Sequence, residues 1–257
     1  MRAELLSDRG EGLPVVYVPG IDGTGELLLG TASRLEERFR LLRLHYVAEP
    51  ASAAVARESD TYAALAASCA EAIRAPGVDA CLVVAESFGG AVALQLALDN
   101  PDLVRGLIVV NSFARFPAQM RVWLGWKLSA LVPRFAFDLF RKLLAPRLLF
   151  AERRDQKAIA EFRELWGTFF DDGYRRRMGM ITRLDLRQRV GELTQPLVLL
   201  ASDKDRVVPS VRTLGELHEL APNSTLEVVP GAGHLILPLE ELGWPERIEE
   251  LRQRAGL

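Results

Sequence analysis

Three polar side chains stand in settings that suit covalent chemistry. Ser87 lies in Ala85-Glu-Ser87-Phe-Gly89-Gly90, Asp205 in Ser202-Asp-Lys-Asp205-Arg-Val-Val-Pro209, and His234 in Pro230-Gly-Ala-Gly233-His234. A serine hydroxyl is a weak nucleophile at neutral pH unless a base takes its proton. His234 can be that base and can return the proton to a leaving group. A carboxylate beside the imidazole would fix its tautomer and stabilise its cation. Asp205 is the expected carboxylate, with Asp203 as the fallback. Such a set attacks a carbonyl carbon and holds the acyl group as an ester on the serine. The oxyanion formed on the way needs backbone donors, and the N–H groups of Phe88 and Ile21 are the expected pair.

Each residue alone has a plainer use. A serine between small residues also occurs in tight strand-to-helix turns of other doubly wound folds. His234 can be a turn histidine, and Asp205 can cap a helix after Pro209. Their joint order, Ser then Asp then His, is the order of one particular α/β architecture.

That architecture must be visible in the elements that carry them. Cys81–Ala85 is a continuous apolar run and reads as a parallel strand covered on both faces. An apolar helix over Ala91–Leu98 follows and stops at Asn100-Pro101. Strand, sharp turn at a serine, helix is the nucleophile elbow. The turn lifts the hydroxyl above the sheet, so residues two positions away must be small. Ala85 and Gly89 meet that demand. The helix N-terminus beside Ser87 also favours negative charge there.

Further strands are expected over Leu13–Pro19, Arg40–Val47, Arg105–Asn111, Pro196–Ala201 and Thr225–Val229. Helices are expected from Glu26 to about Arg38, from a Ser59-Asp60 cap to about Arg74, over Pro209–Leu220 and over Glu240–Arg254. Alternating strands and helices imply right-handed crossovers and a mostly parallel sheet with helices on both faces. Sites in such sheets gather at the carboxyl ends of strands, where Ser87, the Asp203–Asp205 loop and His234 all fall. The other two histidines read differently: His45 as a structural strand residue, His218 as an exposed helix residue.

Gly20-Ile-Asp-Gly23-Thr-Gly25 follows the first of these strands. Three glycines so close mark backbone that approaches something closely. The spacing is not G-x-G-x-x-G, and the Lys-Ser/Thr of a Walker loop is missing, so nucleotide binding is not expected. A backbone donor at Ile21 is the alternative use.

Composition bounds the rest. A chain of 257 residues, 49% hydrophobic and 26% charged, suits one globular domain with an insertion. Cys69 and Cys81 read as core residues, with no disulfide framework and no metal-ligand spacing. No cofactor is expected. Residues 1–10 lack an apolar signal core, and no apolar run approaches the roughly 20 residues of a membrane span, so a cytoplasmic protein is expected.

Charge is uneven, although the net value is only −2. Residues 113–190 hold 17 Lys/Arg against 8 Asp/Glu, with nine of the eleven Phe and three of the four Trp. This segment is dense in helix formers, with breaks near Pro133, Pro146 and Asp171-Asp172-Gly173. It divides the chain into a core, 1–112 and 191–257, and a helical cap, 113–190. The cap's Trp123, Trp126, Phe135, Phe137 and Phe140 suit an acyl chain or another hydrophobic group. Its basic excess has two uses, contact with an anionic membrane surface or pairing with the acidic core. Nothing resembles a nucleic-acid module.

These motifs together resemble the α/β-hydrolase superfamily over nearly the whole chain. Ala85 stands where the family usually has Gly, and Pro19-Gly20 where it usually has His-Gly. The Pro19–Gly25 loop with Ser87-Phe-Gly-Gly90 looks more specifically like the hydrolase-like part of plastid phytyl ester synthases and their bacterial relatives. Thioesterase-type hydrolases share the Pro-Gly loop. The resemblance implies an α/β-hydrolase fold with a helical cap insertion. It also implies a serine hydrolase for carboxylic esters or thioesters with a hydrophobic acyl group. Transfer of that group to an alcohol, or a non-catalytic receptor for a hydrophobic ligand, are the alternatives.

Overall fold

The computed structural model describes residues 1–50, 58–117, 145–153, 155–165 and 172–257. Seven strands form one sheet: β1 (Arg2–Arg9), β2 (Pro14–Val18), β3 (Arg40–Val47), β4 (Cys81–Glu86), β5 (Val104–Val110), β6 (Leu197–Ser202) and β7 (Ser224–Val229). Their spatial order is β1-β3-β2-β4-β5-β6-β7. All neighbours pair in parallel except β1, which runs antiparallel to β3 with a bulge between Leu5 and Ser7. This first strand was not expected from the sequence. It is an edge strand, mostly half-buried or exposed, and its pattern carries little periodic signal.

The helices α1 (Gly30–Glu36), α2 (Tyr62–Arg74), α3 (Phe88–Asp99) and α7 (Ser210–Leu220) lie between strands, and α8 (Trp244–Ala255) follows β7. Between β5 and β6 lie α4 (Ala145–Phe150), α5 (Gln156–Leu165) and α6 (Asp172–Ile181). Pro146, near which a break is expected, lies within the described residues of α4, and residues 118–144 before it lie outside them. The described part of α6 begins at Asp172, so residue 171 of the expected break near Asp171-Asp172-Gly173 lies outside the described residues. Pro133 and the aromatic residues between 123 and 140 lie outside the described residues.

β4 explains how the sheet is covered. All six of its residues are buried, Cys81, Val83 and Ala85 in one apolar cluster and Leu82 and Val84 in the other. The first cluster takes α2, α3 and α7, and the second takes α1 and α8. A strand buried on both faces needs no polar alternation. Both cysteines are free and buried, and burial pushes each thiol up to about 12.

Several helix boundaries differ from expectation, three of them for local reasons. α1 is shorter than Glu26–Arg38, because Gly25 and Leu29 both adopt positive φ ahead of it. Thr61, not Ser59-Asp60, caps α2; its hydroxyl accepts from the Ala64 N–H at 3.0 Å. Asp60 is buried instead, with its carboxylate on the Met1 ammonium and on Arg176. The closing helix is split: a 3-10 turn over Glu240–Leu242 ends at Gly243, φ +62°, and α8 begins with Pro245 in its first turn.

Candidate active site

Ser87 joins β4 to α3 at φ +54°, ψ −125°. This is a conformation a non-glycine residue holds only when its surroundings impose it, at a cost of about 1–3 kcal/mol. The surroundings are visible. The Ser87 N–H donates to Val110 O at 2.9 Å, and the Ser112 hydroxyl donates to Ser87 O at 2.6 Å. Two residues on, the helix lies against β2: a Cβ on Gly89 would sit 2.2 Å from Pro19 O. Only glycine fits there. α3 starts at Phe88 rather than Ala91, so the Phe88 N–H is the first of the helix, among those with no acceptor inside it. The Phe88 ring is locked between Tyr46 and Tyr62, with centroids 6.0 and 5.0 Å away.

Asp205 and His234 meet. His234 Nδ1 lies 2.8 Å from Asp205 Oδ2, and both side chains are almost wholly buried. Asp205 also takes the plainer role, accepting from the N–H of Val207 at 2.8 Å and of Val208 at 3.0 Å, and from the Ser210 hydroxyl. These bonds lock its rotamer. Burial alone would push this carboxyl up; the His234 charge and hydrogen bond, with the Ser210 and Val208 donors, outweigh it and hold Asp205 below the usual range. Burial alone would push His234 down; the charge and hydrogen bond of Asp205, then the charge of Glu86, carry it above the ordinary imidazole value instead. Asp203 takes no part, since its Oδ1 accepts from Gly231 N–H at 2.7 Å.

Asn111, just past β5 at φ +46°, ties these loops together. Its Nδ2 donates to His234 O at 2.8 Å, Gly233 O at 3.2 Å and Ser202 Oγ at 2.8 Å, and its Oδ1 accepts from Ser202 N–H at 2.8 Å. Adjacent residues therefore grip the two ends of the site: Ser112 the elbow, Asn111 the histidine loop. Neither was singled out in the sequence. The signal was present, because two polar residues ending an apolar strand at its carboxyl end obey the same rule as Ser87.

Ile21 sits half-buried on a turn closed by the Gly23 N–H on Gly20 O, 3.1 Å. Below this loop and the elbow lies Glu86, fully buried, with Oε1 receiving the Tyr17 hydroxyl at 2.9 Å and Oε2 unpaired among the described residues. Burial, then the charge of Asp22, raises its pKa to about 8. The remaining histidines lie apart from the site: His45 Nε2 is 3.6 Å from Glu4, and the exposed His218 Nδ1 is 2.7 Å from Ser224 Oγ.

A positive-φ serine between a parallel strand and a helix, a buried Asp–His pair at the next strand ends and a glycine loop opposite define a hydrolase-type α/β site. The chain belongs to the α/β-hydrolase superfamily: the family model described as the alpha/beta hydrolase fold matches residues 14–241. It is similar to RutD of Escherichia coli (strain K12 / DH10B), a carbamate hydrolase by provisional assignment, with 27% identity over 232 residues, 86% of this chain and 84% of the relative. Among solved structures, a thermophilic esterase from Thermogutta terrifontis superposes with a TM-score of 0.80 at 22% identity, covering 98% of this chain and 93% of the esterase. The esterase EaEST from Exiguobacterium antarcticum gives the same TM-score, 0.80, at 19% identity, covering 97% of this chain and 95% of the other. At those identities the two structures speak for the fold. Among the described residues, no helix is long and apolar enough to cross a membrane.

Proposed function

We propose that the protein is a serine hydrolase that cleaves carboxylic esters or thioesters with a hydrophobic acyl group through an acyl-enzyme on Ser87. The observation that carries the reading is the buried 2.8 Å pairing of His234 Nδ1 with Asp205 Oδ2, across a sheet whose elbow holds Ser87 at positive φ. With Nδ1 bound to a carboxylate, the other ring nitrogen is the one free to take a proton. Ser87 Oγ attacks the carbonyl carbon while His234 takes its proton. The oxyanion is met by the N–H groups of Phe88 and Ile21. His234 then protonates the leaving alcohol or thiol, and water, activated by the same imidazole, releases the acid.

Residues 113–190 act as the cap in this reading. Its described parts lie on the site's own loops: the Leu235 N–H donates to Leu149 O at 2.8 Å, Ala151 pairs with Ala232, and Arg177 reaches the Gly20–Gly25 loop. Its basic side chains pair with the core, as Arg153–Glu241, Arg176–Asp60 and Arg189–Asp99 do, which favours internal pairing over a membrane role for the excess charge. The name of the relative adds carbamates to the acyl compounds worth assaying.

Intact mass after a fluorophosphonate probe, beside Ser87→Ala, tests the reading. One adduct on the wild type and none on the variant is expected. A folded wild type that takes no adduct, and turns over none of an acyl-chain series of esters, thioesters and carbamates, sinks it. Adding alcohol acceptors to that series separates hydrolysis from acyl transfer.

A further inference from the structure

Arg177 belongs to α6, in the 113–190 segment, yet its side chain is buried against the glycine loop. Its Nε donates to Ile21 O at 2.6 Å and its Nη2 to Asp22 O at 2.9 Å. The flanking carbonyls are held as well. Pro19 O accepts from the Tyr46 hydroxyl at 3.1 Å, Gly20 O from the Gly23 N–H at 3.1 Å, and Gly23 O from the Tyr46 N–H at 2.8 Å. Every carbonyl from Pro19 to Gly23 thus has a named donor.

Carbonyls are the handles by which peptide planes are turned. In a planar trans peptide, the N–H points opposite to the preceding residue's C=O. With Gly20 O drawn into the turn, the Ile21 N–H faces out of it. Arg177 holds the carbonyls of the next two planes, and the second of these planes carries the Gly23 N–H that fixes Gly20 O and with it the Ile21 N–H. Its planar fork spans two adjacent acceptors as an ammonium cannot. Gly23 has φ +71°, and a Cβ there would lie 2.8 Å from Arg177 Cζ. The guanidinium occupies the space that a side chain would need. Its other face lies over the Tyr46 ring, 5.8 Å from the centroid.

We propose that Arg177 is a positioning residue that clamps the Gly20–Gly25 loop and so presets the Ile21 N–H as an oxyanion donor. The inference rests on the serine-hydrolase reading. Because the clamp comes from α6, the oxyanion side of the site is complete only while α6 is seated on the loop.

Arg177→Lys and Arg177→Met test it, with kcat and KM for a p-nitrophenyl ester, the affinity of an alkylboronic acid and the pH profile of kcat/KM. The boronic acid forms a tetrahedral adduct on the serine hydroxyl and so places an oxygen where the oxyanion would be. A displaced donor costs about 10²-fold in kcat for the Met variant and about tenfold for the Lys variant. KM should stay within about twofold, boronate affinity should fall in step with kcat, and the acidic limb of the pH profile should not move. Unchanged kcat and boronate affinity in folded variants overturn the clamp. So does a Lys variant in which kcat, KM and thermal stability fall together, since that is ordinary packing. If the Met variant does not fold, the Lys variant, which keeps charge and stem, decides. Failure of the underlying reading looks different: the wild type and Ser87→Ala would then respond alike to the fluorophosphonate probe.

Discussion

The two sides of the candidate site are held by different means. On the proton side, side chains hold side chains and loops. Asn111 grips the His234 loop, and Ser210 and two backbone N–H groups fix Asp205; all of these come from the core around β5, β6 and α7. On the oxyanion side the groups proposed to act are the backbone N–H groups of Phe88 and Ile21, which no rotamer can aim. They are aimed through carbonyls: the Phe88 N–H through Ser87 O, held by the Ser112 hydroxyl, and the Ile21 N–H through Gly20 O, held by the Gly23 N–H, whose own peptide is held by Arg177 from α6. The segment inserted between β5 and β6 reaches both sides, by the backbone of Leu149 and Ala151 beside the His234 loop and by the buried Arg177 side chain at the glycine loop.

The largest expected effect lies on the proton side. Asp205→Asn keeps the shape but leaves His234 in the wrong tautomer, and kcat should drop by about 10⁴ with KM little changed. Asp203→Asn should leave kcat of the same order, because the contacts of Asp203 are with Gly231 N–H and the Lys204 ammonium and not with His234. Steady-state kinetics on one ester checks both. Equal losses at the two positions would dissolve the distinction between them.

Asn111→Ala should damage rate and stability together, and in that it contrasts with Arg177→Lys. It strands the buried Ser202 N–H and His234 O, each worth about 1–3 kcal/mol, and puts alanine at φ +46°. Displacement of His234 should lower kcat by about 10²-fold. Urea denaturation and kcat measured on one preparation read both. If Asn111→Ala lost rate but kept stability, the two sides would not differ in the way described.

Glu86 sits between the sides, since its ionisation is opposed by burial and then by Asp22, and helped by His234. Its folded pKa of about 8 lies above its ordinary 4.5. The unfolded chain therefore ionises this group first as pH rises. The stability it contributes is fully present below about pH 4.5 and is lost as pH rises through about 8. Glu86→Gln should thus gain thermal stability relative to wild type between those limits and no further above them. A melting-temperature difference that stays flat from pH 4 to pH 9 would be the contrary result. His234 gives the companion effect on rate. In the proposed mechanism it acts as the neutral base, and with its pKa raised above the ordinary imidazole value the acidic limb of kcat/KM should lie above that value.

What could be read in advance follows the same division. Ser87 and Asp205 could be placed at strand ends because the buried strands β4 and β6 are apolar runs, whereas His234 follows the largely exposed edge strand β7 and was placed by its glycine-rich loop. The Pro19–Gly25 loop was legible as close-approach backbone from its glycines alone. Arg177 was not: it is one of three consecutive arginines, Arg175 to Arg177, and only the packing of α6 turns this one inward. β1 was missed because an antiparallel edge strand with a bulge blurs its alternation. The Ser59-Asp60 cap was misassigned because Asp, Ser and Thr are all favoured as caps by type, and Asp60 had a buried ion pair to make instead.

The smallest expected effect separates two kinds of arginine in the 113–190 segment. Arg189 pairs with Asp99 at 3.0 Å, both partly exposed, whereas Arg177 is buried against backbone carbonyls. A solvent-exposed ion pair is screened and entropically costly, so Arg189→Ala should change stability by no more than about 1 kcal/mol and leave kcat unaltered. Raising the salt concentration should narrow even that difference. A Tm shift and kcat loss matching those of Arg177→Met would mean that the segment is held by its net charge as a whole. The uneven charge along the sequence would then be what seats α6 on the glycine loop, and the single buried guanidinium would be only its innermost member.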